Sequence, residues 1–144
     1  MTNDGLETAY FGAGCFWNAE LVYSNQTGVK STEVGHASYD IPNENKKPRI
    51  EVVKVEFDPS IVSYDKLVDA FWPTHNSEAR NNSDPFYIEK SVLFTLNDKQ
   101  NTIAQSKLRA KKQEKAGDKI LTEVFPITVY QKAPEKDQKY YSKH

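Results

Sequence analysis

The sequence contains only one cysteine, Cys15, which excludes an intramolecular disulfide. It has no run of about 20 apolar residues, the length that a membrane-spanning helix needs. Its first residues carry neither the basic start nor the apolar run of a secretory signal, and its 19 basic residues nearly balance 20 acidic ones. These absences predict a protein that binds neither nucleic acid nor membrane and that works in the reducing cytoplasm.

Apolar side chains make up 38% and aromatic side chains 12% of the 144 residues, which is enough to build a core without cross-links. No repeat, low-complexity segment or shift in composition marks a second domain. The sequence therefore predicts one domain over residues 1–144, and we expect this domain to be a monomer.

Apolar residues recur at strand or helix spacing along most of the chain. The predicted elements are, in order, a strand at 8–11, a helix at 16–23, strands at 29–35 and 53–57, a helix at 64–72, a strand at 91–96, a helix at 98–116 and a strand at 120–124. Ser63 can cap the second helix, and Asn97 with Gln100 can cap the third. Polar loops are predicted at 36–50 and 75–85, and a charged, irregular tail is predicted from 131 to 144. This order predicts an α+β fold, a two-layer sandwich with a ferredoxin-like (split βαβ) core and a mixed sheet with its helices on one face.

Cys15 stands where the first predicted strand gives way to a helix, in the segment Gly12-Ala13-Gly14-Cys15-Phe16-Trp17. Unpaired backbone N–H groups and the positive end of the helix dipole meet at such a position, so a thiolate is stabilised there. The glycines allow a ligand to approach the backbone, and the two aromatic side chains could line a slot for a small alkyl group. The alternative is a buried and inert cysteine.

The same segment closely resembles the cysteine motif of peptide methionine sulfoxide reductases of the A type. The resemblance continues, in the same order, over nearly the whole chain. The further matching segments are Glu20-Leu21, Gly28-Val29 with Thr32-Glu33-Val34-Gly35, Glu51 to Pro59, Ser63 to His75, Thr122-Glu123-Val124 and Gln138-x-Tyr140-Tyr141. The resemblance implies a single methionine sulfoxide reductase A-like domain over residues 1–144.

The resemblance implies an enzyme that reduces the S epimer of methionine sulfoxide, either free or within a protein. Cys15 would attack the sulfoxide sulfur and become a sulfenic acid, while Glu51 would protonate the departing oxygen. A carboxyl suits this role where aromatic neighbours desolvate it; without the resemblance, Glu51 would be an ordinary strand-end carboxylate. Phe16 and Trp17 would hold the methyl group, and Asp84 would bind the substrate backbone or order water.

Two segments depart from the family pattern, and both concern tyrosines that bind the sulfoxide oxygen. Glu89 stands where the family has one tyrosine, and Tyr87, two residues earlier on the same side of an extended chain, could replace it. The loop at 36–50 is shorter than in the family and lacks the other tyrosine, for which Tyr39 is the candidate. We therefore count Tyr39, Tyr87 and Glu89 among the substrate-binding candidates. Each lost phenol would remove about 1–3 kcal/mol of transition-state stabilisation.

The source of reducing thiols is a further consequence of the lone cysteine. Many family members resolve the sulfenic acid with a second cysteine, so the resemblance implies an external thiol here, either thioredoxin or glutathione with glutaredoxin. We expect no bound cofactor. His36, His75 and His144 lack the spacing of metal ligands, so we expect no metal, and His36 is a minor candidate for tuning Cys15.

Two other functions stay open at this stage. A relative without its oxygen-binding tyrosines could act as a redox-sensing or methyl-sulfur binding module. A non-catalytic domain with a structural Cys15 is the third possibility. The presence of Glu51 together with Cys15 favours the reductase, because a binding module needs no acid.

Overall fold

The computed structural model describes residues 5–14, 16–41, 43, 45, 47–74, 90–114 and 120–138. Its strands are β1 (Glu7–Ala13), β2 (Val29–Ser38), β3 (Ile50–Phe57), β4 (Ser91–Thr95), β5 (Glu123–Pro126) and β6 (Val129–Lys132). Its helices are α1 (Phe16–Ser24), α2 (Tyr64–Phe71) and α3 (Asp98–Glu114), with short 3-10 turns at Trp72–Thr74 and Glu135–Asp137. None of the described helices is long and apolar enough to cross a membrane.

The strands form one mixed sheet in the order β5-β4-β1-β3-β2-β6. The four central strands, β4, β1, β3 and β2, pair antiparallel, and β5 adds to the edge of β4 in parallel. Because α1 connects β1 to β2 and α2 connects β3 to β4, the central strands form the split βαβ arrangement. The predicted α+β fold with a ferredoxin-like core and a mixed sheet is confirmed.

The three helices pack on one side of the sheet, which we call the helix face. The cluster buried there joins strands to helices and includes Phe11, Val53, Tyr23, Leu67 and Phe71. A second cluster covers the opposite side, which carries none of the described helices and which we call the helix-free face; it includes Tyr10, Tyr39, Ile50, Val52 and Phe94. Since successive residues of a strand point to opposite faces, the position of a residue within its strand decides which cluster it joins.

Side chains cap α2 and α3 as the sequence predicts. The Ser63 hydroxyl accepts a hydrogen bond from the backbone N–H of Lys66 at 3.3 Å. The Asn97 side chain accepts one from the Gln100 N–H at 2.8 Å, and the Gln100 side chain in turn accepts one from the Leu96 N–H at 3.1 Å. These bonds satisfy donors that a helix start leaves unpaired, so both predicted caps are confirmed.

The predicted boundaries are wrong at three places. The loop expected at 36–50 is shorter, because β2 runs on to Ser38 and β3 already begins at Ile50. Ala37 and Ile50 pair in this extension and are fully buried, which explains why the strands continue through a polar sequence. The last predicted strand is displaced to β5 by its parallel pairing with β4, and the first two residues of the tail predicted to be irregular from 131 belong to β6.

Candidate active site

The described residues before and after position 15 form the strand and the helix that the sequence predicts. β1 ends at Ala13 and α1 begins at Phe16. Between them Gly14 has a φ of 72°, in the left-handed region that favours glycine. Trp17, in the first turn of α1, packs partly buried against the cluster of the helix face. Cys15 itself lies outside the described residues.

Glu51 lies at the end of the sheet where this turn occurs. It is the second residue of β3, and it shares the helix face with Val53, two residues further on. The register of β1 with β3 pairs Phe11 with Val53, so the same register brings Ala13 level with Glu51. The predicted acid is therefore half-buried beside the last residue of β1, and Ala13 is two residues before Cys15 in the sequence.

His36 is the direct cross-strand partner of Glu51. The two residues are paired in the register of β2 and β3, and both lie on the helix face. Burial, and after it the Arg49 cation, lower the pKa of His36, while Asp137 acts in the opposite direction. The imidazole is consequently neutral at neutral pH. The sequence alone makes His36 a minor candidate for tuning Cys15, and the extension of β2 to Ser38 is what shows that His36 faces Glu51.

A buried carboxylate holds α1 against the sheet. Glu20, four residues after Phe16, is fully buried, and its side chain accepts a hydrogen bond from the Thr32 hydroxyl of β2 at 3.0 Å. This bond joins the second turn of α1 to the middle of β2 on the helix face. It therefore helps to fix the start of α1 relative to the strand that carries His36.

Tyr39 lies on the helix-free face. Its ring stacks on Phe125 with the ring centroids 3.9 Å apart, and its hydroxyl accepts a hydrogen bond from the buried Lys90 ammonium at 3.3 Å. Alternation along the chain explains this location, because Tyr39 follows His36 by an odd number of residues. The structure does not bring Tyr39 together with Glu51.

The remaining predicted site residues lie wholly or partly outside the described part of the chain. Asp84, Tyr87 and Glu89 lie outside the described residues, as does the thiol of Cys15, and for Phe16 the structure gives only its place at the start of α1.

Lys90, directly after Glu89, is 1% exposed and forms an ion pair with Glu123. The sequence did not predict this buried charge. The order of strands suggests the ion pair, because β4 and β5 are neighbours and Lys90 and Glu123 stand at their starts.

Gln138 ties the chain after β6 to the edge of β2. Its side chain accepts a hydrogen bond from the Val34 N–H at 2.9 Å and donates to the Val34 carbonyl at 2.8 Å and the Ala133 carbonyl at 3.0 Å. The amide thus substitutes for a strand residue and satisfies both backbone groups of Val34. Val34 precedes His36 by two residues, so this contact fixes the part of β2 next to the candidate site.

The described part of the chain offers no cluster of metal ligands and contains a cleft away from Glu51. No group of three or more histidine, cysteine, aspartate or glutamate residues there could hold a metal ion. A cleft of about 440 Å³ lies at the opposite end of β1, lined by Glu7, Tyr64 and Gln100 among others. Glu51 is not among the described residues that line this cleft, so the cleft is separate from the candidate site.

Comparison with known sequences assigns the family. The family model described as peptide methionine sulfoxide reductase matches residues 7–144. A peptide methionine sulfoxide reductase MsrA of Serratia proteamaculans is 38% identical over 154 residues, covering 98% of this chain and 72% of the relative. A peptide methionine sulfoxide reductase of Solanum lycopersicum is 34% identical over 148 residues, covering 96% and 76%. The chain belongs to the peptide methionine sulfoxide reductase family.

Solved structures of similar fold agree with this assignment. Methionine sulfoxide reductase A of Corynebacterium diphtheriae has a TM-score of 0.78 and 29% identity, over 97% of this chain and 76% of that one. Mxr1 of Saccharomyces cerevisiae in its reduced form has a TM-score of 0.82 and 24% identity, over 99% and 88%. Mxr1 in complex with Trx2 has a TM-score of 0.66 and 22% identity, over 96% and 87%. At these identities the two yeast structures show the shared fold alone.

Proposed function

We propose that this protein reduces the S epimer of methionine sulfoxide, with Cys15 as the nucleophile and Glu51 as the acid. The observation that carries the proposal is the register of β3, which brings Glu51 level with the end of β1 on the helix face. The half-buried Glu51 side chain thus lies beside Ala13, two positions before Cys15 in the sequence, and this supports the proposal. Membership of the family supplies the class of substrate.

The proposed reaction transfers an oxygen equivalent from one sulfur to another. The Cys15 thiolate attacks the sulfoxide sulfur, and the proton of the Glu51 carboxyl passes to the sulfoxide oxygen. The sulfoxide gains two electrons and becomes the thioether, while the Cys15 sulfur loses two electrons and becomes a sulfenic acid. Glu51 is left as a carboxylate and regains a proton from solvent. Trp17, partly buried in the first turn of α1, would contact the substrate methyl group together with Phe16.

An external thiol would complete the cycle, because the sequence has no second cysteine. A first thiol attacks the sulfenic sulfur, releasing water and leaving a mixed disulfide; a second thiol then releases Cys15 and carries away the disulfide. Mxr1, which shares the fold of this chain, has been solved in complex with Trx2. That complex supports thioredoxin as the reductant here. Glutathione with glutaredoxin is the other candidate. Both reductants suit the cytoplasmic location that we propose.

The role of Glu51 is tested by the rate at which reduced protein converts methionine sulfoxide to methionine. Glu51→Gln keeps the size of the side chain but removes the transferable proton, so we expect the rate to fall about 10²- to 10⁴-fold. Glu56→Gln is the matched control: Glu56 lies on the same strand, but it bonds Ser31 on the other face. An unchanged rate in E51Q, with wild-type protein active, would contradict the acid role.

A second function, a redox-sensing or methyl-sulfur binding module, is favoured by the location of Tyr39. Its hydroxyl bonds Lys90 on the helix-free face, whereas a donor to the sulfoxide oxygen would have to lie beside Glu51. In this case the wild-type protein would bind the sulfoxide or its thioether but form no methionine. The same rate measurement therefore distinguishes the two functions.

A further inference from the structure

We propose that His36 is a positioning residue for Glu51: it holds the carboxyl from the neighbouring strand and allows it to keep its proton. This inference rests on the proposed function, in which Glu51 is the acid. It gives His36, which the sequence suggests only as a minor candidate for tuning Cys15, a task on Glu51.

The geometry follows from the pairing of β2 with β3. His36 and Glu51 are cross-strand partners, and the next pair on the same face, Val34 with Val53, belongs to the cluster of the helix face. The side chains of such partners share one face, with their Cβ atoms about 4.5–5.5 Å apart. An imidazole N–H can donate a hydrogen bond to a carboxyl oxygen over this separation. One oxygen of Glu51 is then held by His36, and the other is left to carry the proton.

The charge of the imidazole decides whether Glu51 can act as an acid. A neutral His36 carries no net charge, so it does not favour the ionised form of Glu51. A histidine cation would stabilise the Glu51 carboxylate, and Glu51 would then lose its proton more readily. The low pKa of His36, caused by burial and by Arg49, keeps the ring neutral around neutral pH. Acidification converts His36 to the cation, so the rate of sulfoxide reduction should fall on the acid side.

The other charged groups around this face modify the effect but do not replace it. Arg49, in the segment before β3, disfavours the His36 cation, and Asp137, in the 3-10 turn after β6, favours it. From α1 the face receives Glu20, whose carboxylate bonds Thr32, two residues before Val34. On β6 the residue opposite His36 is Gln131, which carries no charge. Glu51 is the cross-strand partner of His36 on the β3 side.

The test compares the pH profile of methionine formation in wild-type protein, His36→Gln and His36→Phe, with His144→Gln as the matched control. H36Q keeps an N–H donor but cannot become a cation, so it should retain the neutral-pH rate and lose the fall on the acid side. H36F keeps the bulk without a donor, so kcat should drop about 10- to 100-fold at every pH with KM little changed. H144Q should follow the wild type. Thermal unfolding checks that each variant is folded.

The rate at which iodoacetamide alkylates Cys15, measured over the same pH range, separates an effect on Glu51 from an effect on the thiol. We expect the wild type and H36Q to give the same alkylation profile. The inference is overturned if H36Q keeps the acid-side fall, or if its alkylation profile shifts together with its rate. A wild type that forms no methionine overturns this inference and the proposed function together. An active wild type whose pH profile of methionine formation is the same as that of H36Q overturns this inference alone.

Discussion

The ammonium group of Lys90 is buried on the helix-free face of the sheet, at the start of β4. Its side chain is 2% exposed, whereas the side chain of its ion-pair partner Glu123 is 40% exposed. The hydroxyl of Tyr39 lies 3.3 Å from the ammonium nitrogen and provides a second acceptor. One charge of this pair is thus removed from water while the other remains partly hydrated.

Removing either partner should therefore affect stability unequally. In Glu123→Ala the Lys90 charge stays buried without its counter-ion, and we expect a loss of about 3 kcal/mol in the free energy of unfolding. In Lys90→Met the apolar stem is kept and Glu123 can turn to water, so the loss should be about 1 kcal/mol or less. Urea unfolding of the two variants measures the difference. Equal losses would contradict this account of the pair.

At the scale of single residues, the sequence predicts the face on which a side chain lies only where it also predicts the full length of the strand. Cys15 and Glu51 were assigned from motifs, and the register of β1 with β3 brings the Glu51 position to the expected end of the sheet. The location of Tyr39 depends on how far β2 extends. If β2 ended at Gly35, as the sequence predicts, the face on which Tyr39 lies would be undefined. Because β2 continues to Ser38, the alternation of side chains along it puts Tyr39 on the face opposite to His36.

At the scale of elements, the pairing of β2 with β6 depends on a glycine. A Cβ atom at Gly35 would lie 2.5 Å from the carbonyl oxygen of Gln131 and 2.6 Å from the ring of Tyr130. The Tyr130 ring covers this position, packs against Tyr10 and donates a hydrogen bond to Glu33 at 2.7 Å. Any side chain at residue 35 would displace β6 from the sheet.

We expect Gly35→Ala to lower the free energy of unfolding by about 1–3 kcal/mol, because the backbone of β6 cannot move aside without losing its hydrogen bonds. Ser38→Ala, which also borders β6 on β2, is the matched control and should be nearly neutral. The loss is measured by urea unfolding. A G35A protein as stable as S38A would show that the approach of β6 to β2 is not tight.

The elements that the sequence predicted carry their own signals, and β6 does not. The starts of α2 and α3 were predicted because Ser63 and Asn97 cap their own helices, which is a local interaction. β6 has four residues, two apolar followed by two polar, and none of them is buried. Its sequence therefore lacks the alternation that marks a half-buried strand. Only its hydrogen bonds to β2, which is distant in sequence, make this segment a strand.

At the scale of the whole molecule, the order of strands assembles the site. β1, β3 and β2 are adjacent, so the end of β1, Glu51 on β3 and His36 on β2 lie at one end of the helix face. Glu20 and Gln138 fix α1 and the edge of β2 around that end. The fold thus brings Glu51 beside Ala13, the last residue of β1, which precedes it by 38 positions in the chain.

The most direct test of the central claim is a single turnover without any reductant. Reduced protein is incubated with the S epimer of methionine sulfoxide, and methionine and the intact protein mass are measured. We expect one methionine per protein and a mass increase of about 16 Da on the peptide that contains Cys15. Neither should occur with the R epimer or in Cys15→Ser. Absence of methionine, or oxidation at a residue other than Cys15, would contradict the claim that this thiol reduces the sulfoxide.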